Sequence, residues 1–217
     1  MIEINKYIDN TFLKPEATPE QIKAICADSV VLDCASVCVN SSYVPLVAEC
    51  LQGSDVKVCT VIGFPLGMAS TASKAFEASN AVKEGADELD MVINVGRLKA
   101  KEYDFVRQDI EAVVKAVCGK TVKVIIETSL LTDDEKVIAC KLAKEAGAHF
   151  VKTSTGFNGG GANVHDIALM RATVGPEMGV KASGGVRDYD SAVSLIEAGA
   201  SRIGASSGRK IIEGAHD

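Results

Sequence analysis

Glu84-Gly85-Ala86-Asp87 runs directly into Glu88-Leu89-Asp90-Met91-Val92-Ile93-Asn94, and the same kind of junction returns twice. Ala146-Gly147-Ala148 precedes Phe150-Val151-Lys152-Thr153, and Ala198-Gly199-Ala200 precedes Arg202-Ile203-Gly204-Ala205-Ser206. In each copy a helix-like stretch stops at glycine, which tolerates a left-handed C-cap, and a short apolar run follows almost at once. At roughly 25–30 residues per βα unit, successive copies lie about two units apart. Short αβ connections used repeatedly indicate a parallel sheet, open or closed.

The rest of the chain fills the gaps. Strand-like runs lie at Ile8 to Leu13, Ser36 to Asn40, Lys57 to Gly63, Val122 to Glu127 and Gly179 to Ser183. With the three runs above, the count reaches about eight, the barrel number. Helix starts are legible too. Thr18-Pro19-Glu20-Gln21 places proline in a first turn, and Thr132-Asp133-Asp134-Glu135 offers a capping box. Asn163 to Thr173 and Asp188 to Ala198 carry apolar residues at helical spacing. An open doubly wound sheet is the competitor, but it usually shows a glycine-rich turn after its first strand. Here Asp9 to Lys14 is followed by Pro15, and the glycine-rich turns come after the seventh and eighth strands. With no linker or break in composition, the reading is one (β/α)₈ TIM barrel domain, class α/β, over residues 1–217.

Composition narrows the function. Apolar residues make up 47% of the chain and tryptophan is absent, so aliphatic side chains must build the core. A net charge of −6 opposes general nucleic-acid binding, which needs a basic surface, yet leaves room for a local pocket that takes a phosphorylated metabolite. No apolar run of about 18 residues exists, and Met1 to Asp9 lacks an apolar signal core, so a soluble cytoplasmic protein is expected. Seven cysteines without a Cys-x-x-Cys pair read as reduced, packed thiols, Cys38 among them. His149, His165 and His216 lie far apart, so a zinc site of the usual composition is not expected.

Strand alternation singles out the chemistry. Leu89, Met91 and Ile93 share one face; Asp90 and Asn94 share the other. Val151 opposes Lys152, Val180 and Ala182 oppose Lys181, and Ile203 and Ala205 oppose Gly204 and Ser206. The apolar set fits the wall beneath the helices, which points the charged set inward. Lys152 and Lys181 sit at matching places in consecutive units. At about 6 Å and an effective dielectric near 20, their repulsion is roughly 3 kcal/mol, or about two pK units. That supplies a neutral amine able to attack a carbonyl, with Asp90 offsetting part of the shift and relaying protons. The plain alternative is a set of structural charges.

Ser183-Gly184-Gly185 and Gly204-Ala205-Ser206-Ser207-Gly208 follow the seventh and eighth strands, where barrels recurrently hold phosphate on backbone N–H groups and a short helix N-terminus. Ser154 to Ala162 reads either as a flexible connection or as a loop closing over substrate, with Thr155 and Gly156 near the phosphate. His149 belongs to the opposite rim and reads as structural.

These motifs resemble the deoxyribose-phosphate aldolases. The likeness takes in Tyr7 to Thr18, Val56 to Gly67, Gly85 to Asn94, Val151 to Gly156, Val180 to Gly185 and Arg202 to Ser207. The resemblance implies a class I aldolase, free of metal and cofactor, that reversibly cleaves 2-deoxy-D-ribose 5-phosphate to D-glyceraldehyde 3-phosphate and acetaldehyde. It implies that Lys152 forms the Schiff base and that Lys181 lowers its pKa. Asp90 then works with Lys181 and a water, and Asp9 and Thr11 assist hydroxyl and proton handling. Gly156, Gly184, Gly185, Gly204, Ser206 and Ser207 would hold the phosphate. Asn10, Ser41 and Asn163 depart from the residues common there. Two readings compete: a Schiff-base aldolase or transaldolase for another sugar phosphate, and a non-catalytic barrel that binds a phosphorylated ligand. A homodimer is the default assembly.

Overall fold

The computed structural model describes residues 3–215, so Met1 and His216 lie outside the described residues. Eight strands appear in chain order: β1 (Ile8–Phe12), β2 (Ser36–Val39), β3 (Lys57–Ile62), β4 (Glu88–Val92), β5 (Thr121–Ile125), β6 (Phe150–Lys152), β7 (Gly179–Ser183) and β8 (Arg202–Ala205). Each pairs in parallel with its neighbour, and β1 pairs with β8 through Ile8↔Ile203 and Asp9↔Gly204. That pairing closes the barrel and excludes the open sheet.

Around it lie α1 (Pro19–Val31), α2 (Val44–Cys50), α3 (Thr71–Lys83), α4 (Val95–Lys99), α5 (Tyr103–Ala116), α6 (Asp133–Glu145), α7 (Val164–Val174), α8 (Tyr189–Glu197) and α9 (Gly208–Glu213). Capping boxes form at Thr18 and Thr132 as the sequence suggests, each satisfying two otherwise unpaired backbone donors. Asn163 and Asp188 cap α7 and α8. The junction at Gly85 marks the end of α3 but not its start, and the sequence patterns did not single out α5. The buried face of α3 is Lys74, Ala78 and Ala81, a stripe too small and too polar to stand out as apolar periodicity. Lys74 is satisfied there: its Nζ bonds Asp109 Oδ2 of α5 at 2.6 Å and the Val92 carbonyl at 2.9 Å.

Alternation along the strands sorts the interior into two kinds of space. Ile8, Val37, Val39, Leu89, Met91, Val122, Val124, Val151, Val180 and Ile203 face outward into the main core beneath the helices. The barrel lumen carries a small apolar patch of Cys38, Cys59 and Val61, with Leu13 and Phe64 against it. All seven cysteines are free thiols. The lumen also carries charges, and parallel register puts them side by side: Asp90 beside Lys123, and Lys152 beside Lys181.

Candidate active site

Burying several ions in one lumen costs several kcal/mol apiece unless they compensate one another. Here they do. Asp90 Oδ2 receives Lys152 Nζ and Lys181 Nζ, each at 2.7 Å. The two ammonium nitrogens therefore lie no further apart than twice that distance, both turned inward. Asp90 Oδ1 receives Lys123 Nζ at 2.9 Å, and the Cys59 thiol donates to it at 3.4 Å. Below this layer Lys181 Nζ meets Asp9 Oδ2 at 2.5 Å, and Lys123 Nζ meets Glu88 Oε2 at 2.6 Å. Arg202 closes the floor, 2.6 Å from Asp9 Oδ1 and 3.2 Å from Glu88 Oε2. Ser36 Oγ donates to Asp9 Oδ1 at 2.7 Å.

The lumen thus holds four cations (Lys123, Lys152, Lys181 and Arg202) and three carboxylates (Asp9, Glu88 and Asp90). Burial opposes ionisation of Asp90, but Lys123, Lys152 and Lys181 outweigh it and hold the carboxyl well below the usual range. Burial likewise opposes the charge on Asp9, and Lys181, Lys123 and Arg202 pull its pKa down instead. Desolvation works against the Lys181 ammonium, yet Asp9 and Asp90 raise its pKa above the ordinary lysine value. The offset expected of Asp90 has a definite geometry: one of its carboxylate oxygens lies between the two lysines, and Lys181 is held by two carboxylate partners. Lys152 touches a single carboxylate and sits at the top of the cluster.

Above the charges opens a cavity of about 450 Å³, lined by Lys152, Thr11, Thr155, Gly156, Gly184, Gly185, Gly204 and Ser206 together with Lys14 and Arg187. Of the interior lysines, Lys152 alone reaches its lining. Gly204 is required by space: a Cβ there would lie 2.5 Å from Ser183 Oγ and 2.9 Å from Lys181 Cε. Gly184, at φ +89°, would place a Cβ 2.9 Å from Gly161 Cα.

Most of the expected site residues meet at this mouth. Asp9 lies in the floor beneath Lys181, and Thr11 Oγ1 donates to the Asp9 carbonyl at 2.9 Å. Ser207 differs from expectation, because its hydroxyl turns away to donate to the Val186 carbonyl at 3.2 Å and its side chain supports the loop. Residues 154–162 form an irregular loop, and Phe157 packs edge-on against Phe64 with ring centroids 5.1 Å apart. His149 lies at the other rim, where its Nδ1 accepts the Val122 N–H at 3.1 Å. Asn10 points outward to Ser29 Oγ, and Ser41 opens a short 3-10 turn, so neither touches the lysines.

Six further charged residues take part in or around the site. Lys123 was legible, since Val122 and Val124 flank it in the same alternation. Glu88 and Arg202 stand two residues below Asp90 and Gly204 on the same faces, but only the register shows that they meet. Arg187, Lys14 and Glu127 come from loops, where alternation says nothing.

Cys38 Sγ, Cys59 Sγ and an Asp90 oxygen lie within 4.8 Å of one another, close enough to share a metal ion. Both Asp90 oxygens already carry ammonium partners, so a metal would enter against three positive charges, and the donor set does not fit one. No helix among the described residues is long and apolar enough to cross a membrane.

Comparison with known proteins agrees with this architecture. The deoxyribose-phosphate aldolase of Streptococcus suis is 64% identical over 214 residues, covering 99% of this chain and 97% of that protein. The deoxyribose-phosphate aldolase of Clostridium tetani is 61% identical over 213 residues, covering 98% and 99%. Among solved structures, the deoxyribose phosphate aldolase of Aeropyrum pernix, described as a tetramer, superposes with a TM-score of 0.92 at 33% identity, covering 99% of this chain and 91% of that one. The family model for DeoC/LacD family aldolases matches residues 4–214, and the chain belongs to that family.

Proposed function

We propose that this protein is a class I aldolase that reversibly cleaves 2-deoxy-D-ribose 5-phosphate to acetaldehyde and D-glyceraldehyde 3-phosphate through a Schiff base on Lys152. The observation that carries the reading is the position of Lys152. Among the described residues it is the one interior lysine on the cavity wall, it has one carboxylate partner, and the glycine loops line the same space.

The chemistry follows from the charges. A lysine must lose its proton to attack a carbonyl carbon. Loss of the Lys152 proton leaves three cations against three carboxylates, a balanced lumen. Lys181 and Lys123 are each held by more than one carboxylate, and Arg202 stays charged at any working pH. The Lys152 amine adds to C1 of the open-chain sugar, water leaves, and the resulting iminium withdraws electrons from C2. Removal of the C3 hydroxyl proton then breaks the C2–C3 bond, releasing glyceraldehyde 3-phosphate and leaving an enamine. Asp90, bonded to both lysines, and Lys181 are the groups placed to pass protons through a water. Protonation at C2 and hydrolysis release acetaldehyde.

Lys14, Arg187 and the backbone of Gly156, Gly184, Gly185 and Gly204 would receive the phosphate, since glycine lets N–H groups approach an anion closely. The test is a cleavage assay across a panel of sugar phosphates, with acetaldehyde measured as product. Release of acetaldehyde from 2-deoxyribose 5-phosphate, and irreversible inactivation when borohydride is added with it, is the expected result. Cleavage of other sugar phosphates alone would favour the transaldolase-like reading, and no turnover with phosphate binding retained would favour a silent binder. For assembly we infer a homodimer in solution, which light scattering would test; a monomer or a tetramer at micromolar concentration would overturn it.

A further inference from the structure

The loop that follows the Lys152 strand is held by a residue of the preceding strand's exit. Glu127 lies just beyond β5, is 1% exposed, and holds a left-handed backbone at φ 56°, ψ 67°. A glutamate stays in that region only where its surroundings over-determine it, and such residues cluster at functional sites. Here the over-determination comes from the side chain. The Glu127 carboxylate accepts Thr155 Oγ1–H at 2.5 Å, Asn158 Nδ2 at 2.9 Å and the Thr155 backbone N–H at 3.3 Å. Thr155 Oγ1 in turn accepts the Phe157 N–H at 3.1 Å.

These contacts reach the cavity. Thr155, Gly156 and Phe157 line it, whereas Glu127 does not. The far end of the same loop lies on the glycine turn after β7. Ala162 N–H donates to the Gly184 carbonyl at 3.0 Å, and a Cβ on Gly161 would come within 2.4 Å of that oxygen. One loop therefore links the Glu127 carboxylate to the backbone of Gly184. Among the described residues Glu127 forms no ion pair, so its charge is met by the loop's own donors. A carboxylate this near an anion subsite would otherwise oppose phosphate binding; committed to three donors, it shapes the loop instead.

We propose that Glu127 is a positioning residue that sets the phosphate end of the cavity by fixing residues 155–157, without touching substrate. The proposal rests on the phosphate reading given above. It assigns the carboxylate to recognition of the phosphorylated end and leaves the Lys152 chemistry to the charged lumen.

The experiment compares wild type with Glu127→Ala, Glu127→Gln and Glu127→Gly on 2-deoxyribose 5-phosphate and on unphosphorylated 2-deoxyribose. Borohydride trapping of acetaldehyde reports the lysine separately. In Glu127→Ala, KM for the phosphorylated sugar is expected to rise about ten- to a hundredfold, the scale of displacing a positioned group by about 1 Å. For the unphosphorylated sugar kcat/KM is expected to stay within about twofold, with trapping unchanged, as befits loss of binding to a remote group. Glu127→Gln keeps one good acceptor and should rescue part of the loss; being isosteric, it also carries the test if the alanine variant does not fold. Glu127→Gly relieves the backbone while removing the carboxylate and should match alanine.

Equal losses on both sugars would overturn the proposal in favour of a general structural role, and wild-type behaviour of the glycine variant would overturn it in favour of backbone strain. A wild-type protein with no preference for the phosphorylated sugar would refute the phosphate reading, and this proposal with it. A preference that survives in Glu127→Ala would refute only the role of Glu127.

Discussion

Replacing Asp90 with asparagine keeps the side chain's shape and removes the charge that three lysines share. Two of its contacts are 2.7 Å and one is 2.9 Å. At an effective dielectric near 20, a pair of unit charges that close attracts by about 6 kcal/mol before desolvation is set against it. The net effect of stripping one partner from a buried pair is smaller, about 3–5 kcal/mol, because the remaining charges stay buried. Lys181 retains Asp9 and Lys123 retains Glu88, but Lys152 is left without a carboxylate. Set against a domain stability of about 5–15 kcal/mol, the variant should fold but melt roughly 6–20 °C lower. Urea unfolding followed by circular dichroism at pH 7 measures the loss. Since the stranded charge is on Lys152, the double variant Asp90→Asn with Lys152→Met should recover part of the loss, a coupling of about 0.5–3 kcal/mol. A single-variant loss under about 1 kcal/mol, together with strict additivity, would refute the charge-cluster account.

Two further outcomes follow from the same geometry. The carboxyls of Asp9 and Asp90 are depressed in the folded state, so their stabilisation is complete above the unfolded value near pH 4 and drains away as pH falls below it. Asp9→Asn should therefore flatten the acid limb of a stability–pH profile measured by urea midpoints, and an unchanged limb would contradict the assignment. Gly204→Ala places a methyl group against Ser183 Oγ and Lys181 Cε, and should lower kcat/KM for the phosphorylated sugar by about tenfold or more while the fold persists. Kinetics indistinguishable from wild type would show that this wall is not under steric pressure.

The barrel was legible because its αβ junctions repeat, and a glycine that ends a helix just before an apolar run means the same thing at Gly85, Gly147 and Gly199. Lys152, Lys181 and Asp90 were legible because a strand alternates, so a charge between two aliphatic residues must face the side the helices do not cover. Alternation says which face a residue takes but not its height in the lumen, which is why Glu88 and Arg202 went unremarked although both belong to the floor. How Asp90 meets the lysines was hidden for a related reason: two inward lysines and an inward acid can be read from the chain, but a carboxylate oxygen shared by both nitrogens is a matter of register. Glu127 carried no signal at all. Its left-handed backbone is unusual for any residue but glycine, and its partners Thr155 and Asn158 lie across a loop of irregular path. Ser207 directly follows Gly204, Ala205 and Ser206, which do reach the cavity, and nothing in its sequence context distinguishes a hydroxyl that points in from one that caps the Val186 carbonyl.

The central claim concerns one nitrogen, and it can be read directly. The protein is incubated with acetaldehyde, reduced with borohydride, digested and sequenced by mass spectrometry. The account predicts a single ethyl group on the peptide bearing Lys152, with Lys181 unmodified because Asp9 and Asp90 keep it charged and covered. An adduct carried mainly by Lys181, or spread over surface lysines with Lys152 untouched, would contradict it.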